Sequence, residues 1–322
     1  MIAVLAPGQG SQTPGMLTPW LEGRWAEQTD AGTTLARWSE STGLDLARLG
    51  TTADAEEIKD TAVTQPLIVA ASLLAYQQLH AALGDSGLPS DAPTAGHSIG
   101  ELAAAAIAGA LSADAAVELA AVRGREMAAA CAQESTGMSA LLGGQEDEVL
   151  ARLDELDLYP ANRNAAGQIV AAGPIAALEQ LKAEPPRGAR VIPLKVAGAF
   201  HTRFMAPAED ALRGYAEKVD FADPSRPILS NADGATVTDG SDLRDRLVAQ
   251  VTLPVRWDLC MASLRELGVT SVIELAPAGT LSGLVKRELK GTIASGAILP
   301  LKSPDDLDKV ADLIAEHAGS AS

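Results

Sequence analysis

The sequence predicts an α/β protein: a large hydrolase-like α/β domain with a short parallel sheet, and a small ferredoxin-like domain inserted in it. Three observations predict this. An apolar run, IAVLA at 2–6, stops at Pro7-Gly8 as a short buried strand does. A Gly-x-Ser-x-Gly turn at 96–100 sits between a very short strand and an alanine-rich helix. From 137 to 196 the patterns follow one another in the order β-α-β-β-α-β, which is the ferredoxin-like succession.

The elements follow in order. After the 2–6 strand, residues 65–83 (QPLIVAASLLAYQQLHAAL) space their apolar positions as a helix does, and Pro66 suits its first turn. A loop rich in Gly, Ser, Pro and Asp occupies 84–93, and a very short strand then runs into Gly96. The helix after Ser98 closes at Gly109, and Ser112 caps a second helix that reaches about Cys131. GMSALLG (137–143) reads as a strand and EDEVLARLDEL (146–156) as a helix. LYPANRN (158–164) and GQIVAAG (167–173) read as a strand pair, 174–184 as a helix and 189–196 as a strand. The large domain resumes with strands at 227–231 and 269–277 and helices at 242–251 and 279–289. On this reading, residues 1–126 and 198–322 form the large catalytic domain, and 127–197 form the inserted one. The chain has no internal repeat and no low-complexity linker, and its tail, EHAGSAS, is expected to fray.

Composition narrows the function classes. A chain of 322 residues buries roughly three quarters of its extended surface, enough for an enclosed site. Aromatic residues are 3%, too few for a platform that stacks single-stranded nucleic acid. A formal charge of −17 argues against nucleic-acid binding and against an anionic membrane surface. The longest apolar run, 102–111, is ten residues and is too short to span a bilayer. The start, MIAVLAPG, has no basic leader. Cys131 and Cys260 stand far apart with no CxxC and no His at metal spacing, as in a reducing compartment. A cytoplasmic protein whose two thiols are small apolar fillers is expected.

The chemistry centres on GHSIG. A serine hydroxyl is a weak nucleophile until a base takes its proton, and the elbow exposes it on a tight turn where only small residues fit two positions away. Gly96 and Gly100 supply those residues around Ser98, and the following helix start offers N–H groups to a developing oxyanion. Four histidines could serve as base. His80 lies on the polar side of the first long helix, and His317 is in the tail. His97 neighbours Ser98, and adjacent elbow residues point different ways, so it is expected to support the turn. Elimination leaves His201. No acid with an HGGG-type loop marks an α/β-hydrolase triad. GQGSQTPG (8–15) fails as a dinucleotide loop because position 13 is Thr.

PGQGSQ (7–12), GHSIGE (96–101), VRGREM (122–127), NRNAAGQIVAAG (162–173) and GAFH (198–201) together resemble the malonyl-CoA:acyl carrier protein transacylases of bacterial type II fatty-acid synthesis. The likeness covers nearly the whole chain. It implies Ser98 as nucleophile and His201 as general base. It also implies Gln9, with the Ile99 N–H, as the oxyanion hole. Gln250 then orients the histidine through its backbone carbonyl, which accounts for the missing acid. Arg123 would grip the malonyl carboxylate, because a planar guanidinium binds a carboxylate through two parallel bonds and is left unpaired by an acetyl group. His97, Asn162 and Gln168 fall on the substrate side, and Phe200 resembles the residue of malonyl-selective members.

The resemblance implies ping-pong transfer from malonyl-CoA, a substrate, to the phosphopantetheine thiol of an acyl carrier protein, with no metal and no bound cofactor. It departs from the family at Ala-Pro-Ala-Gly (276–279), where Gly-Pro-Gly is common. Such carrier proteins are acidic, so a local basic patch is expected on this acidic chain. Arg187, Arg190, Lys195 and Arg203 form one cluster, and Lys286, Arg287 and Lys290 another. A serine thioesterase or hydrolase, and a stand-alone polyketide acyltransferase with another extender unit, share most of these features.

Overall fold

The computed structural model describes residues 1–84 and 87–320. The chain opens with β1 (Ile2–Ala6), α1 (Gly23–Gln28), α2 (Ala31–Thr42), α3 (Leu46–Thr51), α4 (Thr61–Leu83), β2 (Thr94–Gly96), α5 (Gly100–Ile107) and α6 (Ala113–Cys131). It continues with β3 (Thr136–Gly143), α7 (Glu146–Glu155), β4 (Tyr159–Ala165), β5 (Gln168–Pro174), α8 (Ile175–Ala183) and β6 (Ala189–Pro193). It ends with α9 (Ala206–Ala216), β7 (Ile228–Leu229), β8 (Thr236–Val237), α10 (Gly240–Ala249), α11 (Trp257–Glu266), β9 (Ser271–Glu274), α12 (Thr280–Glu288), β10 (Ile298–Pro300) and α13 (Leu307–Ser320).

The large sheet has the order β10-β9-β1-β2-β7-β8, parallel throughout except for the β7–β8 pair. Alternation along β1 explains why that strand is apolar at every position. Ile2, Val4 and Ala6 join the core formed with α2, α4, α5 and α6, whereas Ala3 and Leu5 join a second core under α11 and α12. The β1–β2 register sets Ala6 opposite Gly96, so both strands end at one place, where parallel α/β sheets present their ligand sites.

The small sheet is antiparallel with the order β4-β5-β3-β6, the ferredoxin-like arrangement the succession predicts. One face carries Leu141, Ile169 and Ala171 against Val149 and Leu153 of α7 and Leu178 and Leu181 of α8. Residues of opposite parity, Met138, Ala140, Asn162, Asn164, Gln168 and Val170, turn to the other face and line a cavity. Helix α6 runs unbroken through residue 127 to Cys131, and the small unit's own elements begin at Thr136.

Several expectations shift. The helix placed at 65–83 starts a turn earlier, because the Asp60 carboxylate accepts from the Ala62 N–H at 2.9 Å. Pro66 therefore sits inside α4 instead of in its first turn. By length and composition α4 is also, among the described residues, the one helix apolar enough to cross a membrane, which the ten-residue run understates. It is a core helix, with 67% of its apolar window buried. Gly124 of α6 lets it approach closely, since a Cβ there would lie 2.7 Å from the Thr61 carbonyl oxygen. The strand expected at 227–231 shortens to Ile228–Leu229, because Ser230 and Asn231 turn away to other partners. Helix α13 continues through Ser320 over most of the tail expected to fray. The His317 side chain, residues 321–322 and residues 85–86 of the 84–93 loop lie outside the described residues.

Glu274, fully buried at the end of β9, ties the sheet to α12. Its carboxylate accepts from the Leu281 N–H at 2.9 Å and the Ser282 N–H at 2.7 Å, at the positive end of that helix. Glu274→Ala strands both donors, and we expect urea denaturation to show a loss of about 2–3 kcal/mol.

Candidate active site

Strand β2 delivers the chain into the elbow, and α5 leaves it. Ser98 has φ 51°, a left-handed conformation that a non-glycine residue adopts only when its surroundings impose it. The glycines on either side have steric reasons. A Cβ on Gly96 would lie 2.0 Å from the Gly100 carbonyl carbon, and one on Gly100 would lie 2.3 Å from the Ala6 carbonyl oxygen. The Ser98 N–H donates to Asn231 Oδ1 at 2.8 Å, and the His97 N–H to the Ala6 carbonyl at 3.0 Å. The turn is thus pinned from both sides.

His201, 103 positions further on, meets the serine: its Nε2 lies 2.7 Å from Ser98 Oγ. Its Nδ1 lies 2.7 Å from the backbone carbonyl oxygen of Gln250, so Nδ1–H donates there and Nε2 accepts from the hydroxyl. A backbone carbonyl thus does what the acid of a Ser-His-Asp triad does. Burial, followed by the Arg123 charge, holds His201 down to about 3, so it is neutral and ready to accept a proton. His201 also has positive φ, 60°, held by Thr202, whose hydroxyl donates to the Ala199 carbonyl at 2.6 Å.

Arg123 comes from α6 and is 3% exposed. Its Nη1 donates to Gln65 Oε1 at 2.6 Å. Its Nη2 donates to Gln250 Oε1 at 2.9 Å and to Ser98 Oγ at 3.2 Å. Burial lowers its pKa to about 10, with Glu101 opposing, and the guanidinium stays charged at neutral pH.

These groups open on a cavity of about 390 Å³ between the two sheets. Gln9, Ser98, Ile99, Arg123, His201 and Phe200 line it from the large unit, and Asn162 and Gln168 from the small sheet. Gln9 turns its side-chain amide to Thr61 Oγ1, with contacts of 3.0 and 3.1 Å. The backbone N–H groups of Gln9 and Ile99 have no partner among the described residues, whereas that of Ser98 is taken by Asn231. Gln168 Oε1 is buried with no donor among the described residues. His97 faces away from the hydroxyl: its Nε2 pairs with Asn164 Oδ1 at 2.8 Å, and its ring packs on Trp257 at 5.5 Å. Of the basic residues, Arg287 lines the cavity, and Arg203 is drawn to Asp157 at 3.5 Å. Cys260 is buried and Cys131 half-buried against Gly198. Among the described residues, no group of three or more His, Cys, Asp or Glu side chains is placed to hold a metal ion.

Five participants escaped the sequence reading: Thr61, Gln65, Glu101, Asn164 and Asn231. Glu101 stood in GHSIGE, and Asn164 in NRNAAG, without a role. Gln65 and Asn231 come from segments that read only as a helix and a strand. We expect 15N spectra of histidine-labelled protein to show His201 as the neutral Nδ1–H form at pH 5, where an ordinary imidazole with a pKa of about 6.5 is mostly protonated. A charged ring there contradicts the geometry.

Comparison with known proteins agrees with this geometry. Residues 4–319 match the acyl transferase domain family. The chain is 59% identical over 313 residues to the malonyl CoA-acyl carrier protein transacylase of Mycobacterium tuberculosis, covering 97% of this chain and 100% of that protein. The crystal structure of MCAT from Mycobacterium tuberculosis superposes with a TM-score of 0.91 at 59% identity, covering 97% of this chain and 99% of that one. A malonyl-transacylase solved in complex with its type II PKS acyl-carrier protein superposes with a TM-score of 0.86 at 30% identity, covering 97% and 99%. With its Ser98–His201 pair and buried Arg123, the chain belongs to the malonyl CoA-acyl carrier protein transacylases of the acyl transferase domain family.

Proposed function

We propose that this chain moves a malonyl group from malonyl-CoA to the phosphopantetheine thiol of an acyl carrier protein through a malonyl-Ser98 ester. The observation that carries the reading is the guanidinium of Arg123, buried and 3.2 Å from the nucleophile. A malonyl thioester has its carboxylate about three atoms from the reacting carbonyl, so one acyl group can reach both residues. An acetyl group brings Arg123 no negative charge beyond its neutral partners Gln65 and Gln250, and that difference selects the substrate.

In the first half-reaction, Ser98 Oγ attacks the thioester carbonyl and its proton passes to His201 Nε2. The Gln9 and Ile99 N–H groups receive the oxyanion. The Gln250 carbonyl steadies the imidazolium through Nδ1–H. The intermediate collapses, the C–S bond breaks, and the CoA sulfur leaves with the proton from His201. In the second half, the carrier thiol gives its proton to His201 and attacks the ester. Ser98 Oγ leaves and regains the proton. No metal and no bound cofactor enters these steps. Asn162, Gln168, His97 and Phe200 shape the substrate side of the cavity. The same transfer would supply fatty-acid and polyketide assembly, with the cytoplasm as its place of work.

The acidic carrier protein docks on a local basic patch. The second cluster is supported by Arg287, which lines the cavity, with Lys286 and Lys290 exposed beside it. In the first cluster, Arg187, Arg190 and Lys195 are exposed, and Lys195 stands between Leu194 and Val196 of the cavity wall.

Mixing the protein with malonyl-CoA alone is expected to give a stable malonyl adduct on Ser98 by intact mass. The adduct is absent in Ser98→Ala, and Arg123→Ala slows its formation roughly 10²–10³-fold. An adduct on Cys131 or Cys260, or release of free malonate in place of transfer, sinks the proposal. Lys286→Glu with Lys290→Glu is expected to raise KM for the carrier protein about tenfold at low salt, less so at high salt. An unchanged loading rate removes this cluster from the docking surface.

A further inference from the structure

Glu101 is a carboxyl group in the first turn of α5, 2% exposed, and the transfer chemistry gives it no step. Both of its oxygens are occupied. Oε1 accepts from the Asn231 backbone N–H at 2.6 Å, and Oε2 accepts from the Gln250 side-chain amide. Each partner leads to the machinery. Asn231 accepts the Ser98 N–H through Oδ1 and donates through Nδ2 to the Gly96 carbonyl at 2.8 Å, so it braces the elbow on both sides of the nucleophile. Gln250 holds His201 with its backbone carbonyl and Arg123 with its side-chain oxygen.

The donor pattern leaves the Gln250 amide one orientation. Its Nε2 faces three acceptors: Glu101, the Ser98 carbonyl at 3.2 Å and Asn231 Oδ1 at 3.3 Å. Its Oε1 faces the Arg123 donor. Reversing the amide would set N–H against N–H at Arg123 and oxygen against oxygen at the other three positions. A proton on Glu101 Oε2 would likewise point an O–H at the Gln250 N–H. The arrangement therefore asks for an ionised carboxylate, and two charge-assisted bonds fasten it.

We propose that Glu101 is a positioning residue: through Asn231 and the Gln250 amide, its buried carboxylate holds Ser98, His201 and Arg123 in their reacting arrangement. This rests on the malonyl-transfer reading, because Arg123 matters to the rate only for a carboxylated acyl group. Burial works against the ionised state and lifts Glu101 to about 8, opposed by the Asn231 N–H, Arg123, the Gln250 amide and Arg246. Among the surrounding groups, burial holds His97 below the ordinary imidazole value. His201 is held down to about 3, and Arg123 stays charged up to about 10. Arg246 of α10 is paired with Asp233 and Asp242, and burial pushes the Cys260 thiol of α11 far up. The sign follows. Acidification protonates Glu101 and weakens malonyl transfer, and raising pH restores it, through one step raised from the ordinary 4.5 to about 8.

The test is single-turnover malonylation of Ser98 by malonyl-N-acetylcysteamine, which has no titrating phosphate, across roughly pH 5 to 9. Wild-type protein is expected to accelerate with pH through that one step. Glu101→Gln, which places an amide donor against one of the two N–H groups, should slow the reaction roughly 10- to 100-fold and remove the step. A folded Glu101→Gln with the wild-type pH profile overturns the proposal. So does a wild-type rate that is flat across the range, which needs no variant to fold. A wild-type protein that takes no malonyl at any pH instead overturns the functional reading, and this inference with it.

Discussion

Arg123 is a permanent positive charge almost wholly removed from water, and the arrangement of the site follows from keeping it there. A guanidinium so placed needs acceptors, and here its direct partners are neutral oxygens from Gln65, Gln250 and Ser98. Those partners come from α4, from the end of α10 and from the elbow, so the charge gathers three distant parts of the chain. Its field also acts on the neighbours. It adds to the burial that keeps His201 neutral, and it draws the Glu101 carboxyl back toward the ionised state. One buried cation thus acts on both His201 and Glu101.

The elbow sets the second constraint. Ser98 takes a left-handed backbone because β2 must end beside β1 while α5 starts within van der Waals reach of Ala6. That crowding excludes side chains at 96 and 100 and frees the Ile99 N–H from secondary structure. The small sheet then provides the opposite wall. Because its helices cover only one face, period-two alternation leaves Met138, Ala140, Asn162, Asn164, Gln168 and Val170 on the cavity side. A mixed apolar and amide-bearing wall suits an acyl chain that ends in a carboxylate.

Much of this was legible in the residues. The elbow could be read because its chemistry is local: both glycines and Ser98 fall within five residues, 96–100. The ferredoxin-like order could be read because periodicity switches cleanly between strand and helix from 137 to 196. His201 emerged because only four histidines exist. The early start of α4 was hidden by Pro66, which looked like a boundary although the Asp60 cap six residues before it decides the start. The short helices α1 and α3, of six residues each, leave too little period to detect.

The sequence by itself determined the elements whose cause is local: the strands, the elbow with Ser98 at its tip, and the order of the inserted unit. The motif resemblance added the acyl chemistry. Only the tertiary structure decided the polarity of the network. Whether Gln250 offers Arg123 an oxygen or a nitrogen depends on Glu101, Asn231 and the Ser98 carbonyl meeting it at once. Those partners lie 19 to 152 positions away along the chain. Hydrogen bonds are short-ranged and directional, so such a meeting leaves no period, spacing or composition to read in the sequence.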